Sequence, residues 1–315
     1  MASVLVPGEL AYGIQLPVQA QSTLFADEWE ASAGRDAIEA IARVADEHGF
    51  DYVGVCDHVA VPRRMAKAMS TTWYDTVATI GFLAALTRRV RLLSHIYVLA
   101  YRHPLATAKA FATLDELSGG RVVLGVGAGH VEAEFDLFGA DFTNRGELLD
   151  EAIDAVRAAF ADEFPTAAGP TWPFDELGQR PRPAQPGGPP IWVGGSSKAA
   201  RRRAAERGDC WLPQGTVMAE MPDQIAYLLE HRRATRGDEP IDLGALAGPV
   251  HVGETDRELP PGTLSGPPEK LAHVLGKYRA MGVGQVQVRF PSRDLAELCD
   301  QMRAFGTDVG PLLRG

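Results

Sequence analysis

The chain has 315 residues, of which 45% are hydrophobic and 23% charged, and its formal net charge at pH 7 is −10. These values are typical of a globular protein with a core large enough for an enzyme, and the negative charge argues against a nucleic acid as partner. A run of cations, Arg201-Arg202-Arg203, lies in a helical pattern and is expected to form a solvated helix face.

The cysteines and the amino terminus bear on the cellular compartment. Cys56, Cys210 and Cys299 lie in separate elements without metal-ligand spacing, so we expect neither a disulfide framework nor a bound metal. The amino terminus lacks a basic segment followed by an apolar stretch, and no apolar run approaches the about 18 residues of a membrane span. A cytoplasmic protein without a membrane partner is expected.

Short apolar runs alternate with helical patterns along the chain, which is typical of β–α units and a parallel sheet. Eight strands are predicted: Leu10–Leu16, Phe50–Cys56, Val90–Tyr97, Arg121–Gly127, Pro190–Gly194, Asp209–Pro213, Leu243–Val252 and Val283–Phe290. Helices are predicted around Ile38, Ile41 and Ala45, and over Asp75–Leu86, Pro104–Leu117, Asn144–Phe160, Ser196–Arg207, Pro222–Arg236, Pro267–Met281 and Asp294–Phe305. Eight such units indicate an α/β fold, a closed (β/α)8 TIM barrel, with residues 1–315 as a single domain.

Two irregular segments, Ala60–Thr72 and Phe164–Pro189, are expected to be insertion loops at the carboxyl-terminal face of the barrel. Lid or substrate-wall roles fit both, because active sites form at that face. For Phe164–Pro189 a surface connection fits equally well. At the start of the helix Asn144–Phe160, the spacing of Asn144 and Glu147 predicts a capping box.

Two predicted strands end in polar residues. The strand Phe50–Cys56 delivers Asp57 and His58 to the barrel mouth, where a histidine can move a proton near neutral pH and a carboxylate can orient it. At the end of the next strand, His95 taken by position alone fits a hydrogen-bonded core residue better than a functional one.

Two glycine-containing turns follow later strands. Gly127 and Gly129 would let the backbone approach a planar ligand, with His130 and Glu132 facing the pocket, although the full dinucleotide fingerprint is absent. Gly194, Gly195 and Ser196 precede a helix whose free N–H groups and dipole favour an anion such as phosphate, and an ordinary βα turn with a serine cap is the alternative.

Several motifs resemble, in order, the luciferase-like oxidoreductase superfamily and its F420-dependent branch. They are Gly49–His58, Tyr101–Pro104, Ala112–Gly127, Glu132–Arg145, Arg182-Pro183 and Pro190–Gly195. The resemblance implies a luciferase-like barrel with a deazaflavin at its mouth and a homodimer. It places Asp57 and His58 beside the ring, a cis-peptide bulge near His95-Ile96 beneath it, Gly129 and His130 at its other edge, and Gly194, Gly195 and Ser196 around a phosphate.

The function expected from this resemblance is hydride transfer between coenzyme F420 and a small organic substrate, with His58 and then His130 as candidate acid–base groups. An FMN-dependent monooxygenase is the alternative, and a non-catalytic flavin-binding barrel protein is a second one. A barrel isomerase acting on a sugar phosphate is a more distant option, because barrels host many chemistries.

Overall fold

The computed structural model describes residues 5–6, 8–23 and 25–315. The strands are β1 Ala11–Gln15, β2 Tyr52–Val55, β3 Arg91–Ser94, β4 Tyr97–Val98, β5 Val122–Gly127, β6 Ile191–Gly194, β7 Cys210–Leu212, β8 Asp242–Val252, β9 Leu264–Gly266 and β10 Gln285–Arg289. Eight of them form a parallel barrel in the order β1-β2-β3-β5-β6-β7-β8-β10, which closes because β10 pairs with both β8 and β1. The predicted (β/α)8 TIM barrel is confirmed.

Helices surround the barrel. They are α1 Arg35–Glu47, α2 Ala66–Met69, α3 Thr76–Leu86, α4 Pro104–Ser118, α5 Glu132–Phe138, α6 Arg145–Ala161, α7 Lys198–Arg207, α8 Met221–Arg236, α9 Pro268–Ala280, α10 Leu295–Ala304 and α11 Gly310–Arg314. The eight predicted helices correspond to α1, α3, α4 and α6–α10, whereas the short helices α2, α5 and α11 were not predicted. None of the described helices has the length and apolar character needed to cross a membrane.

Large side chains close the barrel interior below its mouth. Tyr52 and Trp192 meet edge to face there, with ring centroids 5.5 Å apart, and both are buried. The Tyr52 hydroxyl donates a hydrogen bond to Gln285 Oε1 at 2.7 Å. A Cβ on Gly13 would lie 2.4 Å from the Tyr52 ring, so glycine is required beside it. Because the interior is filled, ligand space is confined to the mouth.

Two local expectations are corrected. Asn144 does not cap α6 through its side chain, because its amide donates to Asp141 Oδ2 at 2.7 Å instead. The segment Phe164–Pro189 leads from α6 into β6 and runs along the outside of the barrel, where Gln179 bonds the Leu105 carbonyl and Gln185 bonds Asp115. Neither of the two cavities described below has a lining residue from this segment, so it is a surface connection.

Candidate active site

A cavity of about 730 Å³ lies at the carboxyl ends of the strands. Its lining contains every predicted site residue except Glu132 and Ser196, namely Asp57, His58, His95, Ile96, Gly127, Gly129, His130, Gly194 and Gly195. The segment Ala60–Thr72, for which a lid or substrate-wall role was predicted, contributes Met69, and Trp73 just after it also lines the cavity. Parallel strands bring these residues together because their carboxyl ends meet at one face of the barrel.

The floor of the cavity is built around Ile96. The His95–Ile96 peptide is cis, at the position predicted for the bulge. A Cβ on Gly127 or on Gly194 would lie 2.8 Å from the Ile96 side chain. Gly129 has a φ of +80°, and a Cβ there would lie 2.7 Å from Val98. The glycines therefore let the Ile96 and Val98 side chains pack directly against the backbone around them, and a larger residue at these positions would displace those side chains.

Asp57 lines the cavity, but its carboxylate is held by protein groups. The Arg102 guanidinium donates to both oxygens, at 2.5 and 3.0 Å, and the backbone N–H of Val98 and the hydroxyl of Thr76 donate at 2.8 and 3.0 Å. The carboxylate thus anchors the chain just after the cis peptide. The sequence predicts Asp57 as the carboxylate that orients His58, but in the structure a different residue makes that contact.

That partner is Glu134. Its Oε2 lies 2.9 Å from His58 Nδ1, and its Oε1 accepts from the backbone N–H of Val59 at 2.6 Å. Burial raises the pKa of Glu134, but hydrogen bonds from His58, the nearby His58 charge and the N–H groups of Val59 and Ala60 outweigh it, so the pKa is lowered. Because an ionised carboxylate only accepts, His58 Nδ1 carries the hydrogen. Nε2 is then the nitrogen left for a ligand.

Aromatic rings hold His58 on its other sides. Trp73 meets it edge to face with centroids 4.5 Å apart, and His130 does so at 5.3 Å. His130 is exposed at the rim. Partial desolvation lowers its pKa, and the neighbouring His58 charge lowers it further, so His130 favours its neutral form. Glu132, which was expected in the pocket, points to solvent instead, because α5 turns Glu134 inward.

His95 is buried at the cavity wall. Burial lowers its pKa to about 4, so it is neutral at physiological pH. Its Nδ1 has no hydrogen-bond partner within the described part of the chain, and its Nε2 lies 3.5 Å from the Gln214 amide nitrogen. It is therefore not the fully bonded core histidine expected from position alone.

Protonation of His95 predicts a pH effect on stability. The unfolded chain gains a proton near the ordinary pKa of 6.5, whereas the folded chain gains it near 4. The folded state therefore loses stability as pH falls through this window, by about 3 kcal/mol in total, and loses none above it. Urea denaturation at several pH values should show this loss in the wild type and a shallower one in His95→Gln. Parallel pH profiles for the two proteins would contradict it.

The end of the cavity that is formed by Arg145, Arg203 and the start of α7 can receive an anion. Ser197 caps α7 by accepting from the Ala200 N–H at 3.1 Å; Ser196, the residue named from the sequence, accepts instead from the Gln214 N–H at 2.9 Å. Arg145 and Arg203 also line this end. Arg203 is buried and paired with Asp150, so the expected solvated face does not include it. The dipole of α7 and the charge of Arg145 favour negative charge here.

Comparison with known proteins places the chain in a family. The sequence profile of the luciferase-like monooxygenase family matches residues 12–283. The chain belongs to this family. It is 32% identical over 216 residues to an F420-dependent hydroxymycolic acid dehydrogenase from Mycobacterium tuberculosis, covering 67% of this chain and 58% of that protein. It is 33% identical over 231 residues to an F420-dependent glucose-6-phosphate dehydrogenase from Nakamurella multipartita, covering 71% and 66%.

A solved structure shares the fold of this luciferase-like chain. The monooxygenase RslO1 from Streptomyces bottropensis superposes with a TM-score of 0.77 at 22% identity, covering 96% of this chain and 99% of that one. Together, the family match and the curated relatives make this luciferase-like protein an oxidoreductase of a family that uses F420 or a flavin.

The sequence predicts no site role for several residues that the structure places in or around the site, among them Arg102, Glu134 and Arg203. Arg102 lies shortly after a strand end, within the Tyr101–Pro104 motif, so its position in the sequence indicates a site residue. Glu134 lies two residues after Glu132, and only the orientation of α5 separates them. Arg203 belongs to a run of three arginines whose pattern predicts solvent exposure, and α7 buries this one of the three.

Proposed function

We propose that this protein transfers a hydride between coenzyme F420 and a small organic substrate, with His58 as the acid–base residue. The observation that carries the proposal is the His58–Glu134 pair beside the glycine-lined floor of the cavity. The two F420-dependent relatives support the choice of cofactor.

The residues present fit such a cofactor. Ile96, Gly127 and Gly194 would lie under a planar ring, because all three line the cavity and the glycines let the Ile96 side chain pack closely beneath it. His95, which is buried at the cavity wall, would lie beside the ring. Arg145 and the amino terminus of α7 would hold the phosphate-bearing chain, next to the Arg203–Asp150 pair. A cavity of about 730 Å³ is within the range of cofactor sites.

The protein contributes proton transfer and orientation. When bound, the deazaflavin supplies the hydride acceptor or donor. For an alcohol, oxidation breaks the C–H bond, the hydride leaves with its electron pair, and the hydroxyl proton passes to Nε2 of His58 as the C=O bond forms. Glu134 stabilises the resulting imidazolium through Nδ1. Reduction of a carbonyl group follows the same steps in reverse.

Parallel titration of the purified protein with F420 and with FMN, followed by fluorescence, tests the proposal. We expect micromolar or tighter binding of F420 and weaker binding of FMN. Gly194→Ala should weaken F420 binding by at least about tenfold, because the added methyl group would overlap Ile96. Gly276→Ala is the matched control, since a Cβ there meets no atom within 4 Å.

Each other outcome has a defined meaning. Preference for FMN, with oxygen consumption by the reduced complex, would establish the monooxygenase alternative. Tight F420 binding without hydride exchange across a substrate panel would indicate a non-catalytic binding protein. Binding of neither cofactor would overturn the proposal.

A further inference from the structure

A second cavity, of about 240 Å³, adjoins the cofactor cavity at the barrel mouth. Gln15, Phe25 and Gln214 line both cavities, so the two meet at these residues. The walls of the second cavity come from β1, β8, β10 and α10 and are mainly apolar: Ile14, Leu16, Leu246, Val288, Phe290 and Leu298. This second cavity is not needed to hold the ring or the phosphate, which the first cavity accommodates.

The charged groups in the second cavity are already satisfied by protein partners. Arg289 Nη2 lies 3.2 Å from Asp27 Oδ1, and Asp27 Oδ2 accepts from the Ser292 N–H at 2.8 Å. Glu30 accepts from the N–H groups of Val18 and Asp27 at 2.6 and 2.8 Å. Among the described lining residues, then, the one cation is paired and two carboxyl groups stand nearby.

This balance disfavours an anionic ligand. A phosphate group would find no unpaired cation in the described lining and would lie near two carboxyl groups, and like charges in such a setting cost several kcal/mol. The apolar walls favour burial of hydrocarbon surface. At the junction, the carboxamides of Gln15 and Gln214 can each donate and accept a hydrogen bond.

We propose that the second cavity binds the substrate, and that this substrate is a neutral, mainly apolar organic molecule whose polar end lies at Gln15 and Gln214. The inference rests on the proposed function, because the junction leads towards the floor on which the cofactor ring would lie. This substrate preference would distinguish the protein from an enzyme that recognises a phosphorylated sugar.

A matched pair of fluorescent probes tests the substrate class. β-Naphthol is neutral and apolar, and β-naphthyl phosphate carries the same ring with an anionic group. With excess inorganic phosphate present to occupy the anion-binding end of the first cavity, we expect the full chain to bind β-naphthol at least about tenfold more tightly than β-naphthyl phosphate. Equal or tighter binding of β-naphthyl phosphate would overturn the proposed class.

A cavity-filling variant tests the location. Leu246 is partly exposed on β8 and lines the second cavity, so Leu246→Trp should fill it and abolish β-naphthol binding, and Leu246→Phe should weaken it. Leu229→Trp, at an exposed position on α8, is the matched control and should bind normally. Unchanged β-naphthol affinity in folded Leu246→Trp or Leu246→Phe would overturn the assignment.

The cofactor titration, run on the same variants, separates this inference from the proposed function. We expect Leu246→Trp to bind F420 as the wild type does, because Leu246 does not line the cofactor cavity. If the wild type binds β-naphthol but does not bind F420, the proposed cofactor is refuted and the proposed substrate site is not. Normal F420 binding together with failure of the β-naphthol predictions would refute the substrate site alone.

Discussion

Replacement of His58 by alanine is expected to lower kcat by about 10²–10⁴-fold, the usual contribution of a positioned acid–base group. The affinity for F420 should change far less, because the floor and the anion-binding end of the cavity remain intact. Added imidazole should restore part of the activity, since it can occupy the space left beside Glu134. Steady-state kinetics with the cofactor titration as a second readout measure both effects.

A surface pair provides the control for this prediction. His231 Nε2 lies 2.8 Å from Glu206 Oε1, so it forms a similar His–Glu contact far from the mouth of the barrel. His231→Ala should leave kcat unchanged. Glu134→Gln should lower kcat less than His58→Ala does, because the amide oxygen can still orient Nδ1 without stabilising the imidazolium. Wild-type activity in His58→Ala would remove this residue from the mechanism.

Replacement of Asp57 by asparagine is expected to lower the free energy of unfolding by about 3–5 kcal/mol, the cost of leaving a buried charge without its partner. The Asp57 side chain is 3% exposed and that of Arg102 is 15% exposed, so water cannot replace the lost carboxylate. Arg102 also stacks on Tyr97, with its guanidinium carbon 4.0 Å from the ring centroid, which holds the cation in place. Urea denaturation followed by tryptophan fluorescence measures the loss.

An exposed pair with similar geometry is the matched control. Arg180 donates to both oxygens of Glu163, at 2.8 and 2.6 Å, but the two side chains are 71% and 37% exposed. Glu163→Gln should therefore lower the free energy of unfolding far less than Asp57→Asn does, because solvent screens the exposed pair. The double variant Asp57→Asn/Arg102→Leu should recover part of the loss, because it removes both charges. Equal losses in Asp57→Asn and Glu163→Gln would contradict the buried-pair argument.

Much of the fold followed from local pattern. Apolar runs such as Val122–Gly127 are typical of strands buried on both faces, and the 3.6-residue period of α1 and α6 identified helices with one buried side. Because successive β–α units can pack in few ways, eight of them were enough to predict a closed barrel. The short helix α5 has too few residues for a period to be read, so it was missed.

The sequence by itself also determined which strand ends meet at the mouth, and so brought His58, His95, His130 and the glycines to one cavity. Only the tertiary structure decided which side chains form hydrogen bonds with the residues at the mouth. Glu134 lies 76 residues after His58, and Arg102 lies 45 after Asp57. Such pairs depend on the orientation of whole elements around the barrel, whereas a sequence pattern reports only on neighbours within one strand or one helical turn.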